Sequence, residues 1–386
     1  MPEDRVMPIA AERATSLRIR AVETLVIDTA TLRTHKLANN NHVRGQSFVV
    51  VRLTLENGVQ GFGEASSLGG PRWAEESPET IASVIAHYLA PALLEQSAGA
   101  FESNALRMAA AAQRNYAAKA ALECAALDAV ARSLNVAMCE LLGGATRDRF
   151  SAIWALASGD PEQEVEEARG KIECRQFRRF KIKIGLQPPA RELERLCRIR
   201  AGLGDDIELI VDANQAWSEA DCIRFIPRLA ELDIALLEQP LPGGQMAALG
   251  RISQRSPVPI MVDESVFSAE DMVAAGAQGA GSVMSLKLVK SGGPFALKRV
   301  AAIAEAQGYQ LYGGCLLESS IGAAAHLAAF ATLPRLAWGT EHFGPLILEN
   351  DLVTDGLRYA DFAVHLPVGP GLGVTPDWDS LKLRAR

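Results

Sequence analysis

The sequence has no uninterrupted apolar run of about 18 residues, the length that a helix needs to span a membrane. A membrane span is therefore not predicted. Its first twenty residues contain only a brief apolar patch, unlike a secretory signal, because charged side chains interrupt them at Glu3, Asp4, Arg5, Glu12 and Arg13. We expect a cytoplasmic protein.

Cysteine is scarce, and so is any local excess of positive charge. The six cysteines are far apart and none forms a CxxC pair, which favours buried reduced thiols over disulfides or zinc ligands. Lysine and arginine are scattered rather than gathered in a stripe, and the formal net charge is −7. A nucleic-acid partner is therefore not expected.

The sequence does contain enough apolar material for a large core, since 48% of its 386 residues are hydrophobic. That length exceeds the usual size of one domain. Residues 1–148 predict an α+β capping domain, with strands joined by a hairpin turn at Asn57-Gly58 and helices that begin at Ser77-Pro78. Residues 31–46 (TLRTHKLANNNHVRGQ) predict a polar surface flap between the first strand and the hairpin.

Residues 149–351 alternate regularly between strand and helix patterns. Five charged residues each close a short apolar run, at intervals of 29, 26, 25 and 24 residues: Lys183, Asp212, Glu238, Asp263 and Lys287. This near-constant period is typical of a βα repeat. We predict an α/β fold, a (β/α)8 TIM barrel whose rim carries these charges at the usual place of barrel active sites. The remaining strand ends are predicted near Ala155, Tyr312 and Glu341, and residues 352–386 are predicted to pack back on the capping domain.

Three of these charges are carboxylates on successive strands. Asp212, Glu238 and Asp263 would repel one another strongly at one point unless a divalent ion were bound. Ligation by oxygen alone suits a hard cation, so Mg²⁺ or Mn²⁺ is predicted. The alternative is that each acid is a solvated loop residue or the partner of a lysine.

The two lysines face each other across the predicted barrel mouth. Lys183 has Lys181 two residues earlier on the same strand face. That like charge is predicted to lower the pKa of Lys183 and make it the better proton shuttle. Lys287 lacks this neighbour, since Lys290 lies beyond the strand end. The alternative for Lys181 and Lys183 is a strand edge with two solvated lysines.

Several motifs together resemble the enolase superfamily in its muconate cycloisomerase branch, over nearly the whole chain. They are FKIKIG, VDANQ, LLEQP, VDES, SLKLVKSGG and GTEHFGP, with THKLANN, GEASSLGG, WALASGD and LYGGCLLESSIG in support. The resemblance implies a modified barrel with a capping domain, and an isomerase of the intramolecular lyase type. It also implies a small dicarboxylate substrate, Mn²⁺ or Mg²⁺ as cofactor, and a homo-oligomer that in this family tends to be an octamer.

The resemblance also implies residue roles. Asp212, Glu238 and Asp263 are the metal ligands, Lys183 is the acid/base that protonates the α-carbon, and Lys287 stabilises the enediolate from the opposite side. Residues expected to tune the charge of the site or contact the substrate are Lys181, Glu341, Asn214, Glu264, His35, Lys36 and Ser66. His342 and Arg44 depart from the family pattern, and they leave the identity of the diacid open.

Other activities of the same superfamily are alternatives: chloromuconate cycloisomerase, dipeptide epimerase and o-succinylbenzoate synthase. The epimerases carry an Asp-x-Asp motif on strand eight, where this sequence has Glu341-His342-Phe343. An alternative from a different functional class is a non-enzymatic barrel that binds a metal and a diacid without turnover. The intact Lys183 and Lys287 count against that alternative.

Overall fold

The capping unit begins with a three-stranded antiparallel sheet in the computed structural model, which describes residues 17–38, 41–68 and 70–386. Its strands are β1 (Ile19–Leu37), β2 (Asn41–Leu55) and β3 (Gln60–Ser66), in the order β1-β2-β3. The turn at Asn57-Gly58 joins β2 and β3 as predicted, with Gly58 at φ 82°. This sheet forms the floor on which the helices of the unit pack.

The predicted flap has a different conformation from the one expected. Instead of a turn-rich loop, residues 31–37 continue β1 and residues 41–46 belong to β2. His35 pairs with Val43 and Lys36 with His42, after a register shift between Ala30 and His35. Polar residues remain in a strand here because one face lies against the barrel, where Lys36 N donates to Ala157 O at 2.9 Å. Asn39 and Asn40, at the tip of the flap motif, lie outside the described residues, as does Gly69 of GEASSLGG.

Helices follow where the sequence predicted them. Ser77 caps α1 (Pro78–Val84), which continues through a π-helical turn (Ile85–Leu89) into α2 (Ala90–Leu93). Three more helices complete the unit: α3 (Phe101–Ala111), α4 (Tyr116–Leu134) and α5 (Met138–Leu141).

The alanine-rich helix α4 lies directly on β3, and two glycines permit that approach. A Cβ atom at Gly61 would overlap the backbone of Ala125 and Ala129, and one at Gly63 would overlap the carbonyl oxygen of Ala121. Because no side chain fits between the two backbones, the helix and the strand pack at the closest distance available to them.

The second unit is a curled parallel sheet with helices around it, which confirms the predicted barrel. Its seven strands in the described residues neighbour one another in chain order. They are β5 (Ile153–Leu156), β6 (Arg179–Lys183), β7 (Glu208–Asp212), β8 (Ile234–Glu238), β9 (Ile260–Val262), β10 (Val283–Leu286) and β11 (Gln310–Gly313). The eighth predicted strand, ending at Glu341, is reduced to single bridges from Thr340 to Ala152 and to Gly313, and these bridges close the ring.

Helices connect consecutive barrel strands, and they are α6 (Pro161–Glu173), α7 (Pro189–Leu203), α8 (Glu219–Glu231), α9 (Met246–Ser253), α10 (Ala269–Gln278), α11 (Leu288–Ser291), α12 (Pro294–Ala306) and α13 (Ser320–Ala331). A 3₁₀ turn covers Gly344–Leu346. None of the helices in the described ranges is long and apolar enough to cross a membrane.

The last residues return to the beginning of both units. Strand β13 (Ala363–His365) pairs with β12 (Tyr359–Ala360) and with β4 (Arg149–Ser151), and α14 (Trp378–Arg384) follows. Asp128 of α4 accepts hydrogen bonds from Phe62 N at 2.8 Å and Leu372 N at 2.7 Å. The final segment therefore contacts the capping unit, while the domain boundaries at 148 and 351 stay a prediction.

A buried carboxylate joins the capping unit to the barrel. Glu64 of β3 accepts from Ser319 N at 3.0 Å, from Gly322 N at 3.2 Å and from the hydroxyl of Ser319, all at the beginning of α13. Helices begin with unpaired backbone N–H groups, so this carboxylate supplies an acceptor that the barrel helix lacks.

We expect Glu64→Ala to lower the free energy of unfolding by about 3 kcal/mol, because it leaves two buried N–H groups without an acceptor. Urea unfolding followed by circular dichroism measures the change. Glu56→Ala, which removes an exposed carboxylate of the same hairpin, is the matched control and is expected to change stability by less than about 0.5 kcal/mol. Equal stability of the two variants would contradict this role of Glu64.

Candidate active site

Lys181 lies at the centre of the rim cluster. It is fully buried on β6, and its Nζ lies 2.5 Å from Glu238 Oε2 and 2.5 Å from Glu341 Oε2. It also lies 4.6 Å from the ring centroid of Tyr312, whose hydroxyl donates to Glu341 Oε2 at 3.1 Å. One ammonium group thus holds two carboxylates from β8 and from the segment that closes the ring.

Lys183 is two residues further along the same strand face and has a different partner. Its Nζ donates to Asp212 Oδ2 at 2.6 Å. The other oxygen of Asp212 accepts from Asn214 N at 2.8 Å, and Asn214 Nδ2 donates to Glu264 Oε1 at 3.3 Å. Four of the predicted site residues are therefore joined in one chain of contacts.

The carboxylate of Asp263 accepts hydrogen bonds from two lysines. Lys287 Nζ donates to Oδ2 at 2.6 Å, and Lys290 Nζ donates to Oδ1 at 2.7 Å and to the backbone oxygen of Asp263 at 2.9 Å. Gln239 Oε1 accepts from Asp263 N at 2.9 Å, which orients the backbone below the carboxylate. Sequence reasoning missed Lys290, because a residue in the helix after a strand was not expected to turn back toward the rim.

The structure brings Asp212, Glu238 and Asp263 to one rim, but each contacts its own lysine. Within the described residues, the His, Cys, Asp and Glu side chains whose ligand atoms all lie within 4.8 Å of one another form a different group, Glu318, His326 and His342. The predicted metal site and the alternative of lysine-paired acids therefore both have support, since the three acids share one region and each also contacts a lysine.

The donor set nevertheless fits a hard divalent cation. Burial raises the pKa of Glu238 well above its usual value, and the negative charges of Asp212 and Asp263 add to the shift. Burial and the same two carboxylates raise the pKa of Glu264 to about 7. A bound cation would offset this repulsion, and the donors are all oxygen atoms, as Mg²⁺ and Mn²⁺ prefer.

The predicted tuning of Lys183 is wrong in its net direction. Burial lowers the pKa of Lys183 and the charge of Lys181 lowers it too, but the carboxylate of Asp212, together with those of Glu341 and Glu238, outweighs both, so the pKa is raised. The prediction omitted this carboxylate because the sequence alone does not show which acid each lysine contacts.

The predicted difference between the pKa of Lys183 and that of Lys287 also changes. Burial lowers the pKa of Lys287, but Asp263 and the more distant carboxylates of Glu238, Glu341 and Glu264 together outweigh burial and raise the pKa above its usual range. Lys290 shares Asp263 with Lys287, although it was predicted to lie apart from it. Lys183 and Lys287 are therefore both ammonium groups held by carboxylates in this structure.

His35 of the flap strands contacts the barrel. His35 is 2% exposed, and its ring centroid lies 6.1 Å from that of Phe343. Its Nδ1 lies 3.2 Å from Arg33 Nη1. Burial, then Arg33, Lys183 and Lys181, lower the pKa of His35 well below its usual value, so this ring is neutral beside the lysines.

The other residues of the capping unit named in the sequence analysis differ in burial and in their contacts. Lys36 is half-buried and lies beside Gly159, where an added Cβ atom would be 3.9 Å from Lys36 Nζ. Ser66 is buried, and its hydroxyl has no hydrogen-bond partner among the described residues. Arg44 is exposed and does not line the pocket over the carboxylates. Arg44 is therefore not part of the pocket lining.

A pocket of about 350 Å³ reaches two of the predicted site residues, Asn214 and Glu264, and its other lining residues are Leu37, Ala38, Arg72, Trp73 and Gln215. Trp73 covers Lys287 Nζ at 4.4 Å from its ring centroid and packs 5.7 Å from Phe267. Arg72 and Trp73 were not predicted, because they come from an irregular loop with no periodic pattern. A larger groove of about 860 Å³ lies beside Arg52, Arg132 and Trp378 and contains none of the predicted site residues.

Comparison with known families accounts for both units. Residues 21–143 match the family described as "Mandelate racemase / muconate lactonizing enzyme, N-terminal domain", and residues 163–380 match "Enolase C-terminal domain-like".

Individual relatives align over nearly the whole chain. Muconate cycloisomerase 1 of Pseudomonas putida is 43% identical over 374 residues, which cover 96% of this chain and 100% of that protein. A chloromuconate cycloisomerase of Delftia acidovorans is 40% identical, covering 95% of this chain and 98% of that protein. The crystal structure of muconate lactonizing enzyme from Pseudomonas fluorescens complexed with muconolactone superposes with a TM-score of 0.94 at 40% identity, covering 96% and 100% of the two chains.

If the three carboxylates hold one cation, Asp212→Asn, Glu238→Gln and Asp263→Asn should each weaken Mn²⁺ binding by at least about tenfold, because each removes a charged oxygen donor. Titration calorimetry with Mn²⁺ measures the affinity. Asp205→Asn changes an exposed acid away from the rim and is expected to bind Mn²⁺ like the unmodified chain. A variant that keeps full affinity would show that its residue is not a ligand.

Proposed function

This chain belongs to the mandelate racemase / muconate lactonizing enzyme family of the enolase superfamily and is an isomerase, and we propose that it converts cis,cis-muconate to muconolactone. The observation that carries the proposal is the position of two lysines, Lys183 at the end of β6 and Lys287 after β10, with three carboxylates at the ends of the strands between them. Relatives that cover nearly the whole chain and are named for this reaction support it.

The proposed reaction needs a proton donor on one side of the substrate. One carboxylate of the diacid adds to the conjugated double bond, forming a C–O bond, and the displaced electron pair moves toward the other carboxylate. Lys183 Nζ then gives a proton to the α-carbon. The contact with Asp212 raises the pKa of Lys183, which keeps it in the ammonium form that a donor requires.

Negative charge develops on the oxygens of the second carboxylate during this step. Lys287 lies on the opposite wall and supplies a fixed positive charge there. A Mg²⁺ or Mn²⁺ ion held by Asp212, Glu238 and Asp263 would supply further positive charge that stabilises this carboxylate when bound. Trp73 covers Lys287 and so limits the access of water to it.

The remaining predicted residues take supporting roles in the proposal. Lys181 holds Glu238 and Glu341 in place, and Asn214 links Asp212 to Glu264. Lys36 and Ser66, on the capping unit, are proposed to contact the part of the diacid that the rim does not hold. His35 is proposed to pack beside the site as a neutral ring.

The strand-eight segment counts against a dipeptide epimerase. Glu341 is taken up by Lys181, and His342 and Phe343 are both buried, so this segment offers no free pair of carboxylates for the amino group of a dipeptide. The alternative that stays open is a chloromuconate cycloisomerase, because a relative of that name is about as similar, at 40% identity. Assembly into a homo-oligomer, with eight subunits as in the family, and a cytoplasmic location stay predictions.

The decisive experiment is a turnover assay of the full chain with Mn²⁺ and four separate substrates: cis,cis-muconate, 2-chloromuconate, 3-chloromuconate and a set of dipeptides. We expect loss of the diene absorbance with cis,cis-muconate and a higher kcat/KM for it than for either chlorinated diacid. Higher kcat/KM for a chlorinated diacid would favour the alternative. Absence of turnover with every substrate would leave a barrel that only binds a diacid.

The two lysines should differ in deuterium oxide. Because Lys183 alone is proposed to protonate the α-carbon, the lactone should gain one deuterium there with a single configuration. Lys183→Ala is expected to abolish both lactone formation and exchange of the α-proton, whereas Lys287→Ala slows lactone formation by about 10²–10³-fold through lost charge stabilisation. Nuclear magnetic resonance of the product measures both. Exchange that survives in Lys183→Ala and disappears in Lys287→Ala would reverse the assignment.

A further inference from the structure

Two histidines and a glutamate meet in the barrel wall, and none of them is one of the three rim carboxylates. Glu318 lies in the loop after β11, His326 in α13, and His342 directly after Glu341. Each is at most 2% exposed. Their ligand atoms lie within 4.8 Å of one another, and the reaction proposed above uses none of them.

Hydrogen bonds assign the proton on each imidazole ring. His326 Nδ1 lies 2.8 Å from Gly322 O, and since a carbonyl oxygen only accepts, Nδ1 carries the proton. His342 Nδ1 lies 2.6 Å from Thr340 Oγ1, whose own proton goes to Gly313 O at 3.0 Å. That hydroxyl therefore accepts from His342 Nδ1. In both rings the Nε2 atom is left with a lone pair.

Both Nε2 atoms lie near one carboxylate. His342 Nε2 lies 3.7 Å from Glu318 Oε2, and His326 Nε2 lies 3.9 Å from Glu318 Oε1. Among the described residues neither His342 Nε2 nor Glu318 Oε2 has a hydrogen-bond partner. A separation of 3.7 Å is too long for a hydrogen bond. Two buried acceptors that face each other at this distance are costly without positive charge between them.

We propose that Glu318, His326 and His342 bind a divalent transition-metal ion such as Zn²⁺, at a second site distinct from the rim carboxylates. Two imidazoles and a carboxylate suit Zn²⁺ rather than Mg²⁺. Metal bonds of about 2.1 Å place tetrahedral ligand atoms roughly 3.4 Å apart, close to the two separations observed. In metal sites the second ring nitrogen of a histidine ligand donates to a backbone or side-chain oxygen, as both Nδ1 atoms do here.

Two features oppose the ion. Leu288 N donates to His326 Nε2 at 3.0 Å, so His326 exchanges this hydrogen bond for the metal. The ammonium of Lys287 is near enough to act on all three side chains, but Asp263 Oδ2 lies 2.6 Å from it and offsets its charge. The gain is that one ion satisfies two buried acceptors and ties together three segments, including the one that carries Glu341.

Metal counting tests the proposal. The full chain is stripped with chelator, incubated with ZnCl₂, freed of excess zinc by gel filtration, and analysed by mass spectrometry for zinc per chain. We expect about one zinc fewer in His342→Leu than in the unmodified chain. His87→Leu, which removes an exposed histidine, is the matched control and should retain the unmodified count. An equal count in His342→Leu and the unmodified chain would overturn the proposal.

A second measurement does not depend on folding of a variant. Co²⁺ bound by two imidazoles and a carboxylate in tetrahedral geometry absorbs visible light strongly, whereas Co²⁺ on oxygen ligands in octahedral geometry absorbs weakly. The unmodified chain loaded with Co²⁺ is expected to show the strong bands, and Glu318→Gln to lose them. Weak bands alone in the unmodified chain would mean that Glu318 and His342 share a proton instead. Lactone formation is assayed separately with Mn²⁺, so failure of either proposal leaves the other standing.

Discussion

A charge can be buried in a protein only where an opposite charge or a set of hydrogen bonds replaces water, and the rim of this barrel depends on that constraint. Lys181, Lys183, Lys287 and Lys290 alternate there with carboxylates. Removing one member of a buried pair usually costs about 3–5 kcal/mol. The pairing therefore holds each lysine in place, and it raises the pKa of Lys181, Lys183 and Lys287 against the effect of burial.

The sequence predicted the barrel and its rim well, because both follow from a periodic pattern. A buried parallel strand ends in a charged residue about every 25 residues in this chain, and strand ends necessarily meet at one rim. The flap was less predictable. A polar segment such as residues 31–37 stays in a strand only because the barrel covers one face and accepts its backbone hydrogen bonds, as at Leu32 N and Ile347 O.

Contacts made at the site by residues outside the barrel strands could not be predicted from the sequence. Lys290 lies in a short helix and reaches back to Asp263, and Trp73 comes from an irregular loop of the other unit. Neither contact leaves a periodic trace in the sequence. The pKa of Lys183 was misjudged because the surrounding carboxylates, and not the neighbouring lysine, decide the direction of its shift. Partner identity is a property of three-dimensional packing, so residue spacing alone does not specify it.

The close packing of α4 on β3 limits how this chain can be recombined with its relatives. Gly61 and Gly63 have no room for a Cβ atom because the backbone of α4 occupies that space, and the strand they belong to also carries Glu64. A chimaera that joins the hairpin of one protein to the helix of another must match small residues on both sides of this contact. The hairpin and the helix therefore have to be exchanged together as one block.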